Sequence, residues 1–138
     1  MSDFVLDASL ALQWFLEDVT DRKYSLGVLA SLTEKRALVS VLWCYEVGNG
    51  LLTAYRRKRI SLDQVDGYLT RLKALPIDAA QPNPSEIFAL PALAHKHGLT
   101  NYDAAYLAVA LSSNLPLATT DNELRRAAAS AGVAVASV

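Results

Sequence analysis

The sequence has little cysteine and little excess charge of either sign. Cys44 is the single cysteine in 138 residues, so a disulfide within the chain and a cysteine-based zinc cluster are both excluded. We expect Cys44 to be a small buried apolar group in a cytoplasmic, reducing environment. The formal net charge of −1 gives no overall attraction to nucleic acid, so binding to a polyanion would need a local basic patch or metal ions.

Signatures of several other protein classes are also missing. The N-terminal apolar stretch lacks a preceding basic region and is interrupted by Asp3, Asp7 and Gln13, so we expect neither a signal peptide nor a membrane span. There is no Gly-x-Gly-x-x-Gly and no Gly-Lys-Ser/Thr motif, which disfavours nucleotide-cofactor enzymes. Asp7-Ala8-Ser9 lacks the second aspartate of a haloacid-dehalogenase-like phosphatase, and no late lysine supports a response-regulator receiver.

The composition and its periodicity predict one α/β domain over residues 1–138. Hydrophobic residues make up 52% and charged residues 20%, as in a compact globular domain with a sizeable core. Strands are predicted at 4–6, 37–41, 76–79, 117–119 and 133–136, and helices at 9–16, 22–35, 42–57, 61–74, 85–96, 100–113 and 121–130. Strands that alternate with helices indicate a parallel sheet covered on both faces.

Three local signals qualify the predicted helices. Thr20 and Asp21 are cap candidates for the second helix, and Pro91 is a possible interruption of the fifth. Gly48-Asn49-Gly50 is also a turn signal, but the apolar positions stay in helical register around it. We therefore favour a helix that packs closely at its glycines.

Four acidic residues lie in separate apolar contexts: Asp7, Glu46, Asp103 and Asp121. A carboxylate among apolar neighbours is costly unless it is paired, hydrogen-bonded or bound to a cation. Two unit charges about 4 Å apart repel by about 4 kcal/mol at an effective dielectric constant near 20. Carboxylate oxygens are ligands that Mg²⁺ and Mn²⁺ prefer. If the four converge, they predict a metal-dependent enzyme that acts on phosphate esters.

The predicted strands place three of these acids at one edge of the sheet. Asp7 and Asp121 lie at, or within two residues of, the carboxyl ends of their strands, and Glu46 lies one helical turn beyond the second strand. Ligands of such sheets bind at the carboxyl ends, where the strand order reverses. Asp103 is not fixed in this way, because it belongs to the helix before the fourth strand.

Structural roles compete with this interpretation for most of the acids. Asp7 and Asp121 could each cap the helix that follows, and Thr100 to Asp103 fits a capping box. Glu46 lies too far into its helix to be a cap. Asp103 is followed by apolar residues at helical spacing, so we expect its side chain to point toward the packed face of the helix. The joint pattern of the four acids is therefore more specific than any one of them.

One basic cluster and two histidines are the other candidates. Arg56, Arg57, Lys58 and Arg59 form a run that is usually a solvated helix end, but it follows the helix carrying Glu46 and is a candidate RNA-phosphate contact. His95 and His97 lie near a helix end, where cationic groups complement the helix dipole, and we favour that role over metal ligation.

The order and spacing of these motifs resemble the PIN domain family, specifically VapC-type toxins of VapBC toxin–antitoxin pairs. The resemblance extends from Phe4 to Val138 and is carried by four motifs: Val5-Leu6-Asp7-Ala8-Ser9, Tyr45-Glu46-Val47, Tyr102-Asp103-Ala104-Ala105-Tyr106-Leu107-Ala108 and Ala118-Thr119-Thr120-Asp121. It implies a three-layer α/β/α sandwich with a central parallel sheet and a Mg²⁺- or Mn²⁺-dependent endoribonuclease. It also implies a homodimer and inhibition by a small VapB-type antitoxin.

The resemblance further implies roles for individual residues. Asp7, Glu46, Asp103 and Asp121 match the acidic positions of the family, and Asp7 and Asp103 are the expected direct metal ligands. Ser9 and Thr120 match hydroxyls that support the site. Metal-assisted hydrolysis of RNA would then leave a 5′-phosphate and a 3′-hydroxyl. Two alternatives stay open: a noncatalytic RNA- or protein-binding module, and a DNA nuclease.

Overall fold

The computed structural model describes residues 1–16 and 22–138 and arranges them around a four-stranded parallel sheet. The strands are β1 (Phe4–Leu6), β2 (Ala37–Ser40), β3 (Ile77–Ala80) and β4 (Leu117–Ala118). They lie in the order β3-β2-β1-β4, and all three pairings are parallel. The chain adds β2 and β3 on one side of β1 and then β4 on the other, so the strand order reverses between β1 and β4. A crevice at this reversal point is where sheets of this kind bind ligands.

Eight helices within the described residues cover the sheet. They are α1 (Ala8–Leu12), α2 (Lys23–Ser31), α3 (Val41–Arg56), α4 (Leu62–Lys73), α5 (Pro84–Phe88), α6 (Leu90–His97), α7 (Asn101–Ser113) and α8 (Asn122–Ser130). Helix α7 packs against β1, β2 and β4, while α1 and α4 pack against α3. The predicted α/β architecture, a parallel sheet between helices, is confirmed. None of the helices in the described ranges is long and apolar enough to cross a membrane.

The core forms because β1 and the inner faces of the helices are apolar. All three residues of β1 are buried, as are Tyr106 and Leu107 of α7. In α3 the buried residues recur at helical spacing, at Trp43, Val47, Leu51 and Ala54. Cys44 lies about 100° around the helix from Trp43 and is exposed, so the expectation that it is buried was wrong.

Two predicted elements differ from the structure for identifiable reasons. The predicted helix over 85–96 is two helices, α5 and α6, because Pro91 has no amide proton to donate to the carbonyl of Ile87. The predicted strand at 133–136 is reduced to one bridge, between Val135 and Leu117, because β4 offers only two residues for pairing. The cap candidates Thr20 and Asp21 lie outside the described residues, and α2 begins after Arg22.

Helix α3 continues without a break through Gly48 and Gly50, as the helical register predicts. A Cβ atom built on Gly50 would lie 2.5 Å from Cδ1 and 2.8 Å from Cδ2 of Leu12, so any side chain at this position would require the Leu12 side chain of α1 to move. A Cβ atom on Gly48 would meet nothing within 4 Å. The predicted close packing is therefore present at Gly50 and absent at Gly48.

These two glycines should respond differently to alanine. Gly48→Ala should stabilise the protein by about 0.8 kcal/mol, because alanine is the better helix former and has room. Gly50→Ala should stabilise it less or destabilise it, because the same gain is offset by the cost of displacing the Leu12 side chain, about 1 kcal/mol or more. Urea unfolding followed by circular dichroism measures both. Equal effects of the two substitutions would contradict the asymmetric packing of α1 on α3.

Candidate active site

The four predicted acids gather at the carboxyl edge of the sheet, beside the reversal point. Asp7 directly follows β1, Asp121 follows β4 by three residues, and Glu46 lies in the second turn of α3. Asp103 is the third residue of α7, the helix that packs across β1, β2 and β4. The charges of Asp121, Asp7 and Glu46 all act on the Asp103 carboxyl, so the four acids share one electrostatic environment.

Asp7 is buried and held by several hydrogen-bond donors. Its Oδ2 accepts a hydrogen bond from the Ser9 hydroxyl at 2.7 Å and another from the Thr119 hydroxyl at 2.7 Å. Its Oδ1 accepts from the Ser9 amide at 3.4 Å, so Asp7 also caps α1. The predicted capping role and the predicted site role are therefore compatible. The donors fix the orientation of the carboxylate in a place where a free charge would be costly.

Thr119 is the hydroxyl that links Asp7 to Asp121. It is fully buried, donates to Asp7 and accepts a hydrogen bond from the Asp121 amide at 3.1 Å. The predicted supporting residue Thr120 instead accepts from the Gln13 side chain at 2.9 Å. Of the two predicted hydroxyls, Ser9 contacts an acid directly and Thr120 lies one residue beyond the hydroxyl that does. Two adjacent threonines look alike in sequence, and only the register of β4 against β1 separates them.

Asp121 combines a structural role with its place at the site. Its Oδ1 accepts hydrogen bonds from the amides of Glu123 and Leu124, at 2.8 and 3.2 Å, and so caps α8. Its charge still reaches Asp103, where it makes the largest electrostatic contribution of the three neighbouring acids. The cap holds Asp121 at the carboxyl edge of the sheet.

The arrangement of the four acids disfavours the ionised form of Asp103. Burial raises the pKa of the Asp103 carboxyl above its usual value, and the charges of Asp121 and Asp7 raise it further. Glu46 adds a smaller contribution, and a hydrogen bond with the Thr100 side chain opposes the shift. The Thr100 hydroxyl accepts from the Asp103 amide at 3.1 Å, whereas the reciprocal bond of a capping box is not seen. Asp103 therefore does not complete a capping box.

Glu46 has a partner that the sequence motifs did not identify as functional. The Tyr106 hydroxyl of α7 donates a hydrogen bond to Glu46 Oε1 of α3. Tyr106 is 1% exposed, and Glu46 is partly buried beside it. The tyrosine lies three residues after Asp103, so one turn of α7 carries one of the four acids and binds a second. The signal in the sequence was the Asp-Ala-Ala-Tyr spacing, which places both side chains on one helix face.

The donor set of the site consists of carboxylate and hydroxyl oxygens, which suits a hard divalent cation. Within residues 1–16 and 22–138, however, no three acidic, histidine or cysteine side chains converge into a complete metal site. Magnesium is commonly held by only one or two carboxylates, with water filling its other positions.

The other predicted residues lie apart from the acids. The basic run from Arg56 to Arg59 is exposed at the carboxyl end of α3, away from the turn that carries Glu46. His95 and His97 are in the last turn of α6, as expected for groups that complement the helix dipole. Among the described residues, ion pairs join Arg36 to Asp78 and Arg126 to Glu123 and do not involve the four acids.

Comparison with known proteins agrees with this geometry. The sequence model of the PIN domain matches residues 4–130. Ribonuclease VapC3 of Pyrobaculum aerophilum is 38% identical over 87 residues, which cover 60% of this chain and 64% of that protein. The match therefore spans less than two thirds of the length of this curated relative.

Solved structures share the fold. The crystal structure of protein PAE2754 from Pyrobaculum aerophilum aligns with a TM-score of 0.72 and 25% identity, over 91% of this chain and 84% of that one. VapBC2 of Rickettsia felis, bound to a DNA fragment from their promoter, aligns with a TM-score of 0.66 and 13% identity, over 96% of each chain. With a family model that matches nearly its whole length and a sheet that carries the acids at one edge, this chain belongs to the PIN domain family.

Proposed function

We propose that this chain is a metal-dependent endoribonuclease and the toxin of a toxin–antitoxin pair. The observation that carries the proposal is the gathering of Asp7, Glu46, Asp103 and Asp121 where the strand order reverses. The similarity to Ribonuclease VapC3 supports RNA as the substrate class and favours a ribonuclease over a DNA nuclease. The raised pKa of Asp103 supports a catalytic site over a binding module, because it shows that the charges of the other three acids act on Asp103. Helix capping alone does not require the four acids to lie so close together.

The residues fit Mg²⁺ or Mn²⁺, with Asp7 and Asp103 as the proposed ligands. When bound, such a cation polarises a phosphate oxygen and lowers the pKa of a water molecule. Ser9 and Thr119 hold the Asp7 carboxylate in place, and Thr100 anchors the start of the helix that carries Asp103. Glu46 and Asp121 would orient the attacking water or help to hold a second cation. Hydrolysis then leaves a 5′-phosphate and a 3′-hydroxyl.

The proposed partners are RNA, a VapB-type antitoxin and a second copy of the chain, in the cytoplasm. The structural relative VapBC2 of Rickettsia felis supports the antitoxin. An apolar groove of about 760 Å³, lined by the start of α3, by α5, by the start of α6 and by α7, supports binding of a protein partner, either the antitoxin or a second copy of the chain. Tyr45, Phe88 and Tyr102 are exposed at 74%, 81% and 63%, and uncovered aromatic groups of this kind mark interaction surfaces. Residues 1–138 are proposed to act as one domain.

The first prediction concerns cleavage of RNA. Purified, antitoxin-free protein should cut a labelled total-RNA pool into discrete fragments with Mg²⁺ or Mn²⁺ and should not do so with EDTA. Asp7→Asn and Asp103→Asn should each reduce the rate by at least about 100-fold, because each removes a proposed metal ligand. End mapping should find 5′-phosphates.

Cleavage retained in metal-free-purified Asp103→Asn protein would contradict the assignment of Asp103 as a metal ligand. No cleavage by well-folded wild-type protein with either metal would favour the binding-module alternative.

The second prediction uses stability rather than activity. Folding raises the pKa of Asp103, so its ionised form destabilises the native state; that cost is fully present above the raised pKa and disappears below about pH 4. Without divalent metal, Asp103→Asn should therefore be more stable than the wild type at pH 7, and the gain should vanish toward pH 4. Asp66→Asn, on the exposed side of α4, controls for the loss of one negative charge. Urea unfolding across this pH range measures the difference.

Addition of Mn²⁺ should reverse this order. A ligand present at 100 times its dissociation constant stabilises the protein that binds it by about 2.7 kcal/mol. Wild-type protein and Asp66→Asn should gain this stability, and Asp103→Asn should gain much less. Equal gains in all three proteins would show that Asp103 does not bind the metal.

The third prediction concerns the basic run at the end of α3. We propose that Arg56, Arg57, Lys58 and Arg59 contact RNA phosphates. Arg57→Gln should lower the slope of log binding constant against log salt by about 0.7, the value for one phosphate contact on a single strand. Lys35→Gln, an exposed charge before β2 at the edge of the sheet opposite the four acids, is the matched control. Binding is measured with the inactive Asp7→Asn protein, and identical slopes for the two variants would rule out the contact.

A further inference from the structure

The Tyr106 hydroxyl is placed between three of the elements that carry the acids. It belongs to α7, one turn after Asp103, and it donates a hydrogen bond to Glu46 Oε1 of α3. The backbone amide of Ala8, the residue after Asp7, is near enough to the phenol to lower its pKa slightly. The hydroxyl thus links α7 to α3 beside the β1–α1 junction, where the acids meet.

Glu46 depends on this contact more than the other acids depend on theirs. Asp7 and Asp121 are short side chains held by two or more donors each, and Asp7 lies beside its own helix start. Glu46 is a longer side chain in the middle of a helix, and two glycines follow it closely, at positions 48 and 50. The hydrogen bond described for its carboxylate comes from Tyr106, across 60 residues of sequence.

Tyr106 is suited to act as a permanent donor. It is 1% exposed, so its ring is fixed by the core around it. Burial raises the pKa of its phenol far above the usual value, and the hydrogen bond to Glu46 raises it further. The hydroxyl therefore keeps its proton, and only one of the two Glu46 oxygens is engaged by it.

We propose that Tyr106 is a positioning residue, whose hydroxyl holds Glu46 Oε1 and so presents Oε2 to the water or cation at the site. This inference rests on the proposed nuclease function, because it assigns Tyr106 a part in that reaction. A tyrosine that only filled the core would satisfy its hydroxyl with any nearby carbonyl. Here the acceptor is one of the four acids, and Tyr106 shares a helix face with another.

The experiment compares two tyrosine hydroxyls. Tyr106→Phe keeps the buried ring and removes only the hydrogen bond to Glu46. Tyr24→Phe is the matched control, because the Tyr24 hydroxyl donates to the Ala136 carbonyl at 2.6 Å and makes no described contact with the acids. For RNA cleavage with saturating Mn²⁺, Tyr106→Phe should lower kcat by about 10- to 100-fold, the range typical of residues that support metal-site groups, with KM unchanged. Tyr24→Phe should leave both constants unchanged.

A double-mutant cycle separates positioning from general packing. If Tyr106 acts through Glu46, Tyr106→Phe should lower kcat in the wild-type background and have no further effect in a Glu46→Ala background. The same cycle in urea unfolding, without metal or RNA, should show coupling between the two side chains. There, Tyr106→Phe should destabilise the wild type but not Glu46→Ala, in which the buried hydroxyl has lost its acceptor.

The outcomes distinguish this inference from the function on which it rests. Active wild-type protein with an unchanged kcat in Tyr106→Phe would overturn the positioning role and leave the nuclease intact. A loss of kcat that is equally large in the Glu46→Ala background would also overturn it, because Tyr106 would then act independently of Glu46. A folded wild-type protein that cleaves no RNA would overturn both.

Discussion

Parallel pairing between β1 and β4 sets the positions of two carboxylates at once. Val5 and Leu6 pair with Leu117 and Ala118, and the Asp7 amide continues the ladder by donating to the Ala118 carbonyl at 3.0 Å. The next residue of the second strand, Thr119, then lies against the Asp7 carboxylate and receives the Asp121 amide. If this register shifted by one residue, the Thr119 side chain would face the other side of the sheet, and Asp7 and Asp121 would lose their link.

Helix α7 completes the site because of the residues it buries. Its inner face packs on three of the four strands and buries Ala104, Tyr106, Leu107 and Ala110. Apolar burial on this scale, at about 25 cal/mol per Å² removed from water, drives the helix onto the sheet despite the charge at its first turn. Because Asp103 belongs to this helix, the same packing brings its carboxylate close enough to the other acids for their charges to act on it. The apolar face of the helix thus stabilises the fold and, by the same contact, creates the charge repulsion that a cation would relieve.

The polar contacts at this edge of the sheet serve structure and site together. Asp7 and Asp121 cap α1 and α8, so the carboxylates that the proposed chemistry needs are also the groups that begin two helices. A cap residue is held by backbone amides, which fixes its position without further side chains. Helix capping and a catalytic role were competing interpretations of these residues in the sequence. In the structure one placement makes both residues caps and is compatible with the proposed catalytic role.

The sequence by itself determined the features that depend on local order. The alternation of strands and helices, the start of α4 at Ser61 and the capping positions of Asp7 and Asp121 all follow from neighbouring residues. Because the carboxyl ends of parallel strands share one edge, the sequence also placed Asp7, Glu46 and Asp121 near one another. These predictions needed only periodicity and capping chemistry.

Tertiary structure alone decided the features that depend on register and on helix rotation. Strand register selected Thr119 rather than Thr120 as the hydroxyl on Asp7, and the rotation of α3 left Cys44 exposed. The docking of α7 brought Asp103 to the other acids and Tyr106 to Glu46. Each of these contacts joins residues far apart in the chain, so no local pattern specifies it. The packing of the apolar faces of the helices and strands fixed these contacts, because it also positioned the polar groups on the same elements.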